Sequence, residues 1–296
     1  MHEKNRLTPT SHFVDSHGLT LHVVEWGQGP KTLVCHHGFL DHARTWDKLA
    51  QALADEYRLI AVDARGHGDS DWVGPGGYYH FQEYVRDLDA VIKTLVPEPF
   101  VMMGHSMGGR VASIYTGTYP EKCLGLVLVE GSGPQTTEGE AYPQLMHSWI
   151  ETTRHVRKKE RKTLPSLEAA AERLKKSNPK LEHTLALDLA THGTEKITAG
   201  YRWKFDPLHM SKSPLPVTLD IVKHFNMNFD KPVLIFRGLD SEAHCDTPDM
   251  GEWPGPTQLI DVENAGHMIQ HDNAPEILTH LMPFLASLFK KAPGNP

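Results

Sequence analysis

Short apolar runs rich in β-branched residues alternate along this chain with longer segments whose apolar residues recur at helical spacing. This alternation is typical of a parallel sheet covered by helices on both faces, so it predicts an α/β fold with a mostly parallel central sheet. The predicted strands are residues 19–25, 32–35, 58–62, 100–103, 125–129, 233–236 and 258–262, with 13–14 as a candidate leading edge strand. The predicted helices are residues 43–54, 81–95, 107–119 and 275–289.

The alternation of predicted strands and helices is interrupted once along the chain. From residue 134 to 216 the chain is charged and helical, and strands resume at Val233. We therefore predict a core formed by residues 1–133 and 217–296, interrupted by an inserted helical lid over residues 134–216.

Within the predicted lid, two residues have the character of helix N-caps. Ser166 and Asn178 are of the residue types preferred there, and Asn178 is followed by Pro179, which suits a first helical turn. Gly193 is a candidate helix stop.

Composition excludes several classes of function. The 30 basic residues against 37 acidic residues give a net charge of −7, which argues against a nucleic-acid partner. The mean hydropathy of −0.41 and the shortness of the apolar runs predict that no segment spans a membrane. Three cysteines without a C-x-x-C pair and an N-terminus without an apolar signal segment favour a reduced, cytoplasmic location.

The twenty histidines do not form a recognisable metal site. The sequence contains no His-Glu-x-x-His and no spacing of two histidines and two cysteines, so neither a metal nor a cofactor is expected.

The pentapeptide Gly104-His105-Ser106-Met107-Gly108 stands between a predicted strand and a predicted helix. A G-x-S-x-G in this context predicts a sharp turn that raises the serine hydroxyl above the sheet as a nucleophile. The helix that follows places its dipole and free N–H groups, that of Met107 in particular, beneath the serine. This arrangement favours the negative oxygen that forms when a carbonyl carbon is attacked.

A serine hydroxyl is a weak nucleophile at neutral pH and requires a nearby base. His267 follows the predicted strand 258–262 and precedes the last helix, so it lies in a loop at the carboxyl edge of the sheet. We predict that His267 is the general base for Ser106.

Together these motifs resemble the α/β-hydrolase superfamily of lidded esterases, C–C hydrolases, haloperoxidases and epoxide hydrolases. The resemblance is carried by His37-Gly38-Phe39, by the run at residues 63–70 (DARGHGDS), by the serine pentapeptide and by Gly266-His267, in the family's order. It implies that the backbone N–H of Phe39 joins that of Met107 in an oxyanion hole. The 63–70 run is interpreted as a brace for neighbouring loops.

The resemblance leaves the acidic partner of His267 open. Related proteins usually carry an aspartate three residues after the glycine that ends the seventh strand, where this chain has Ser241 between Asp240 and Glu242. Some members take the acid from the end of the sixth strand, which here is Glu130. Glu130 is favoured over Asp240 and Glu242, because a carboxylate at the end of an apolar strand needs a partner that offsets its desolvation.

The serine nucleophile favours acyl chemistry, so a carboxylic ester or lactone is the expected small-molecule substrate. A C–C bond hydrolase, a perhydrolase-like enzyme and a slow-turnover ligand receptor on the same fold are the alternatives. Aromatic and methionine side chains of the lid are expected to line the pocket. Trp149 and Trp203 are the main candidates, beside Met146, Tyr201 and Phe205. The sequence does not predict an oligomeric state.

Overall fold

A computed structural model describes residues 8–96, 99–131, 142–156, 158–211, 213–215, 217–242 and 252–290. Its centre is an eight-stranded sheet made of β1 (Thr10–Ser16), β2 (Leu19–Trp26), β3 (Lys31–His36), β4 (Tyr57–Val62), β5 (Phe100–His105), β6 (Cys123–Val129), β9 (Val233–Gly238) and β10 (Thr257–Val262). The strands lie in the order β1-β2-β4-β3-β5-β6-β9-β10. The six strands from β4 to β10 in this order run parallel, and β2 and β1 extend the sheet antiparallel at one edge.

Helices cover both faces of the sheet, as the fold class predicted from the sequence requires. Helices α1 (Asp47–Leu53) and α9 (Ala274–Lys290) pack on one face, and α2 (Phe81–Leu95) and α3 (Met107–Thr118) pack on the other. Successive side chains of a strand point to opposite faces. Phe100 and Met102 accordingly join the core under α2 and α3, while Val101 and Met103 join the core under α1 and α9. The predicted α/β fold is confirmed.

In the part of the chain that the structure describes, the segment between β6 and β9, called the insertion below, adds no strand to the central sheet. It contains α4 (Tyr142–Val156), α5 (Leu167–Ser177), α6 (His183–Gly193) and the hairpin β7 (Thr194–Ile197) and β8 (Gly200–Trp203). Leucine and alanine side chains of α5, of α6 and of the segments next to them form a small core of their own. The chain returns through a 3₁₀ turn (Pro207–Met210) to α7 (Leu219–Met227), which packs against α3. The domain limits drawn from the sequence stay a prediction.

Two local expectations for the insertion are wrong. The segment was expected to be helical without strands, yet it contains the β7–β8 hairpin. Asn178 does not begin a helix: it ends α5, and its side-chain oxygen accepts a hydrogen bond from the N–H of Lys180 at 3.2 Å. Ser166, by contrast, caps α5 by accepting a bond from Ala169, and α6 ends at Gly193 as predicted.

The short helix α8 (Ile269–Asp272) follows the loop after β10 and precedes α9. Across the described part of the chain, no helix combines the length and the apolar character that crossing a bilayer would need.

Candidate active site

Ser106 occupies the turn between β5 and α3, with φ 51° and ψ −116°. Its neighbours pass too close for side chains. A Cβ on Gly104 would lie 2.3 Å from the carbonyl oxygen of Gly108, and a Cβ on Gly108 would lie 2.3 Å from that of His36. The two glycines of G-x-S-x-G therefore permit the tight turn that exposes the serine hydroxyl.

Three side chains form a continuous hydrogen-bonded chain at this turn. The Nε2 atom of His267 lies 2.9 Å from the Oγ of Ser106, and its Nδ1 lies 3.1 Å from the Oε2 of Glu130. With Glu130 ionised, Nδ1–H donates to the carboxylate and Nε2 accepts from the serine hydroxyl. The arrangement has the nucleophile, base and orienting acid geometry that activates a serine.

Glu130 lies at the end of β6 and is only 3% exposed. Its carboxylate receives three donors. The N–H of Gly238 donates to Oε1 at 2.7 Å, while the hydroxyl of Ser241 at 2.8 Å and His267 share Oε2. These bonds compensate the removal of the charge from water, which otherwise would be costly.

The other two carboxylates proposed from the sequence lie elsewhere. The side chain of Asp240 is half exposed and pairs with Lys180 of the insertion. Glu242 is exposed to solvent. Among the described residues the acid that contacts His267 is Glu130, because β6 ends directly beneath the histidine loop whereas Asp240 turns outward.

Met107 and Phe39, the two residues expected to form the oxyanion hole, belong to segments that lie next to Ser106. Met107 is the first residue of α3, where backbone N–H groups have no acceptor inside the helix. Phe39 follows Gly38, at which a Cβ would lie 3.3 Å from the Cβ of Ser106. The Gly38–Phe39 segment therefore passes directly beside the nucleophile.

Buried histidines hold the segment that carries Phe39. His37 Nε2 accepts the N–H of Ala64 at 2.9 Å, and His67 Nε2 accepts the N–H of Leu40 at 3.2 Å. Burial, followed by the repulsion of neighbouring histidines, lowers the pKa of His37 to about 3. Burial lowers the pKa of His67 as well. Both rings therefore stay neutral near pH 7 and can act as acceptors.

His105 supports the histidine loop from below. Its Nε2 lies 2.8 Å from the backbone oxygen of His267, and the two rings are 5.0 Å apart. Burial, followed by the proximity of His267, lowers the pKa of His105 well below its ordinary value. The neutral ring can donate to the loop carbonyl without adding a positive charge beside the base.

The 63–70 run ties strands and loops together. Asp63 accepts the N–H groups of Ala43 at 2.6 Å and Asp69 at 2.9 Å, and it lies 2.7 Å from the Nδ1 of His22. Burial alone would raise the pKa of Asp63, but the hydrogen bond and charge of His22 hold it well below its usual value. The cluster of His22, Asp63 and Asp69 has ligand types found in cation sites, yet His22 and Asp63 bond to each other and the carboxylate of Asp69 pairs with Lys204.

The two lid tryptophans lie in different surroundings. Trp149 of α4 packs edge-on against Tyr78 of the core, with ring centroids 5.4 Å apart. Trp203 lies in β8, packs against the insertion's own core, and stacks on Phe205. The contacts of Trp203 are those of a packing residue within the insertion, and a substrate contact by either ring stays a prediction.

Sequence reasoning did not assign a role to Ser241 or to Asp272. Ser241 was noted only as a departure from the family pattern, and here it donates to Glu130. Asp272 accepts the N–H of Gly266, next to His267, at 2.9 Å. No local motif marks either bond, since each joins residues whose proximity only the fold creates.

Comparison with known proteins finds relatives with hydrolase names and solved structures with the same fold. A serine hydrolase-like protein from Danio rerio is 26% identical over 279 residues, which cover 88% of this chain and 85% of that protein. The 2-(acetamidomethylene)succinate hydrolase of Mesorhizobium japonicum is 28% identical over 233 residues, 77% of each chain. The thioesterase domain from the curacin biosynthetic pathway shares the fold, with a TM-score of 0.83 and 23% identity over 93% of this chain and 99% of that domain.

Residues 31–274 match the sequence profile described as the alpha/beta hydrolase fold. The profile covers β3 to the start of α9 and therefore all three residues of the hydrogen-bonded chain. The family and the names of the relatives support hydrolase activity, and the chain belongs to the alpha/beta hydrolase fold family.

Proposed function

We propose that this chain is a serine hydrolase that cleaves a carboxylic ester or lactone through an acyl-enzyme on Ser106. The observation that carries the proposal is the bonded series Glu130–His267–Ser106 at the strand–helix turn. In the proposed reaction His267 is the general base, Glu130 orients it, and the N–H groups of Phe39 and Met107 receive the oxyanion.

The proposed reaction has an acylation half and a deacylation half. Ser106 Oγ attacks the acyl carbon while its proton passes to His267 Nε2, and the carbonyl oxygen becomes an oxyanion. The tetrahedral adduct then expels the alcohol, which takes the proton from His267 and leaves an acyl-serine. A water molecule, deprotonated by His267, attacks the acyl-serine, and collapse releases the carboxylic acid and restores the serine hydroxyl.

The test uses p-nitrophenyl esters of increasing acyl length together with a fluorophosphonate probe. We expect the probe to label Ser106, and we expect Ser106→Ala to lose esterase activity by about 10⁶-fold, the cost of losing a nucleophile in well-studied triads. Ser113→Ala is the matched control, because Ser113 lies about two helical turns beyond Ser106 along α3 and its hydroxyl donates to the helix carbonyl of Gly109.

Two outcomes would contradict the proposal. One is a fluorophosphonate adduct on a residue other than Ser106. The other is binding of ester without turnover in an active-site titration, which would favour the ligand-receptor alternative.

A second candidate is hydrolysis of an amide, and the bacterial relative favours it. The name of that relative's substrate, 2-(acetamidomethylene)succinate, contains an acetamide, whose acyl carbon a serine nucleophile can attack as it attacks an ester. Incubating the chain with that compound and measuring acetate release tests this candidate. Acetate release that Ser106→Ala abolishes would support amide cleavage at the same serine, and none above the Ser106→Ala background would exclude this substrate.

A further inference from the structure

The loop that carries His267 is tied to the insertion through one aspartate. Asp272, the last residue of α8, has both carboxylate oxygens in use. Oδ2 accepts the backbone N–H of Gly266 at 2.9 Å, and Oδ1 accepts the side-chain amide of Asn178 at 2.9 Å. A two-bond path therefore runs from the α5–α6 turn of the insertion to the residue before His267.

The same turn of the insertion meets the adjoining loop of the core. Lys180 pairs with Asp240 after β9, and the N–H of Asp240 bonds to the oxygen of Ala265 at 2.9 Å. The two core loops touch closely, since a Cβ on Gly238 would lie 2.5 Å from the oxygen of Gly266. Any shift of residues 263–268 would therefore alter how Nδ1 of His267 meets Glu130.

The two contacts differ in environment. Asn178 and Asp272 are both partly buried, whereas the side chains of Lys180 and Asp240 are 40% and 51% exposed. An exposed ion pair contributes little to holding a structure in place, while a hydrogen bond to a partly buried carboxylate contributes more. The Asn178–Asp272 bond is thus the stronger of the two contacts between the insertion and the histidine loop.

We propose that Asn178 and Asp272 are positioning residues for His267, so that docking of the insertion's α5–α6 turn sets the alignment of the catalytic base. The inference rests on the proposed function, because it assigns Asn178 and Asp272 a role only through His267. Neither residue touches the reacting atoms.

The test exchanges the donor and the acceptor of the Asn178–Asp272 hydrogen bond. Asn178→Asp sets a second carboxylate against Asp272 and should break the contact. Combining it with Asp272→Asn restores the contact with opposite polarity: the new amide at 272 donates to the carboxylate at 178 and its oxygen still accepts from Gly266. We expect Asn178→Asp to slow fluorophosphonate labelling and kcat by about tenfold or more, as small misplacements of catalytic groups do, with KM changed less. The double variant should recover to within about threefold.

Lys180→Gln is the matched control, because it removes the exposed ion pair on the same turn and leaves Asp272 untouched. We expect it to stay within about twofold of the parent. Far-ultraviolet circular dichroism and thermal melting check folding. If Asn178→Asp does not fold, Asn178→Ala, which only removes the donor, takes its place in the labelling assay with the same expected slowing.

The outcomes separate this inference from the proposed function. A parent chain that the probe does not label would overturn the proposed function itself. A parent that labels at Ser106, with a folded Asn178→Asp or Asn178→Ala that labels equally fast, would overturn the positioning role alone. Slow labelling that the polarity-reversed pair fails to rescue would overturn it as well.

Discussion

Ser106 has a backbone conformation that a residue with a side chain rarely adopts. Its positive φ costs on the order of 1–3 kcal/mol and persists only where surrounding contacts enforce it. Here the N–H of Ser106 bonds to Val129 of β6 at 3.1 Å, and its oxygen accepts from Gly109 at 3.0 Å. These bonds hold the backbone of Ser106 in a conformation that directs its hydroxyl toward His267.

Glu130, the proposed acid, is the residue whose role is most directly testable. Glu130→Gln keeps the size of the side chain but removes the charge that steadies the protonated imidazole. We expect kcat to fall by about 10⁴, the loss seen when a triad aspartate becomes its amide. Ester hydrolysis at constant pH measures the effect.

Asp240→Asn is the paired control for that change. It removes a carboxylate that bonds to Lys180 on the surface, so kcat should change by less than about threefold. If Asp240→Asn lowered kcat more than Glu130→Gln, the acid that orients His267 would be Asp240, in the loop after β9.

The hydrogen bond from Ser241 to Glu130 can be tested in a similar way. Ser241→Ala deletes a donor to the buried carboxylate of Glu130 and should cost about 1–3 kcal/mol of stability. Because Ser241 and His267 share the same oxygen, we also expect kcat to fall several-fold. Thermal melting and ester hydrolysis check both, with the exposed Ser287→Ala of α9 as control. An unchanged kcat would mean that Gly238 and His267 alone hold the carboxylate.

At the scale of elements, the strands and helices of the core could be predicted because their patterns are local. The predicted strand 100–103 lies within β5, and the predicted helix 81–95 coincides with α2. The β7–β8 hairpin was missed because its strands are only four residues long and β7 is mostly polar, although aromatic and charged residues do alternate through β8.

The site could be predicted only in part, for the same physical reason. Ser106 and His267 carry local motifs, whereas the choice among Glu130, Asp240 and Glu242 depends on how β6 and β9 lie together. Glu130 takes donors 108 and 111 residues further along the chain. Sequence spacing contains no information about such contacts.

The loop after β3, which carries Gly38 and Phe39, allows a test of the proposed oxyanion hole. A Cβ on Gly38 would meet the Nδ1 of His105 at 2.6 Å, so Gly38→Ala must displace the segment that carries Phe39, the ring of His105, or both. If the Phe39 N–H stabilises the oxyanion, kcat should fall by about 10²–10³. Gly76→Ala is the control, because a Cβ there meets no atom within 4 Å. Equal activity of the two variants would exclude the proposed role of Phe39.

At the scale of the whole molecule, a buried group of histidines couples folding to pH. His209, from the end of the insertion, packs against His67 of the core with ring centroids 4.1 Å apart, and the ring of His67 lies 5.1 Å from that of His37. Burial lowers the pKa of His209 to about 3, as it does for His37. The folded chain therefore keeps these rings neutral at pH values where an unfolded chain, with histidine pKa about 6.5, is protonated.

The sign of the effect follows from proton binding. Below pH 6.5 the unfolded state binds protons that the folded state does not, so the free energy of unfolding decreases as pH falls. His37 and His209 each cost about 2 kcal/mol at pH 5, which together is a large part of the stability of a typical domain. The lowered pKa of His67 acts in the same direction. The effect of Asp63 begins only below pH 4, since its carboxyl titrates near 3.8 when unfolded and lower when folded.

We therefore expect the chain to unfold between about pH 5 and pH 4, with the free energy of unfolding falling steeply from pH 6 downward. Urea titrations at half-unit pH intervals measure this slope. His209→Phe keeps an aromatic ring against Tyr79 and His67 but cannot bind a proton, so the slope should decrease by about 1.4 kcal/mol per pH unit. Tyr79→Phe loses its bond to Asp206 and should lower the stability at every pH without changing the slope. A free energy of unfolding that is the same at pH 7 and pH 5 would show that the buried histidines do not govern acid stability.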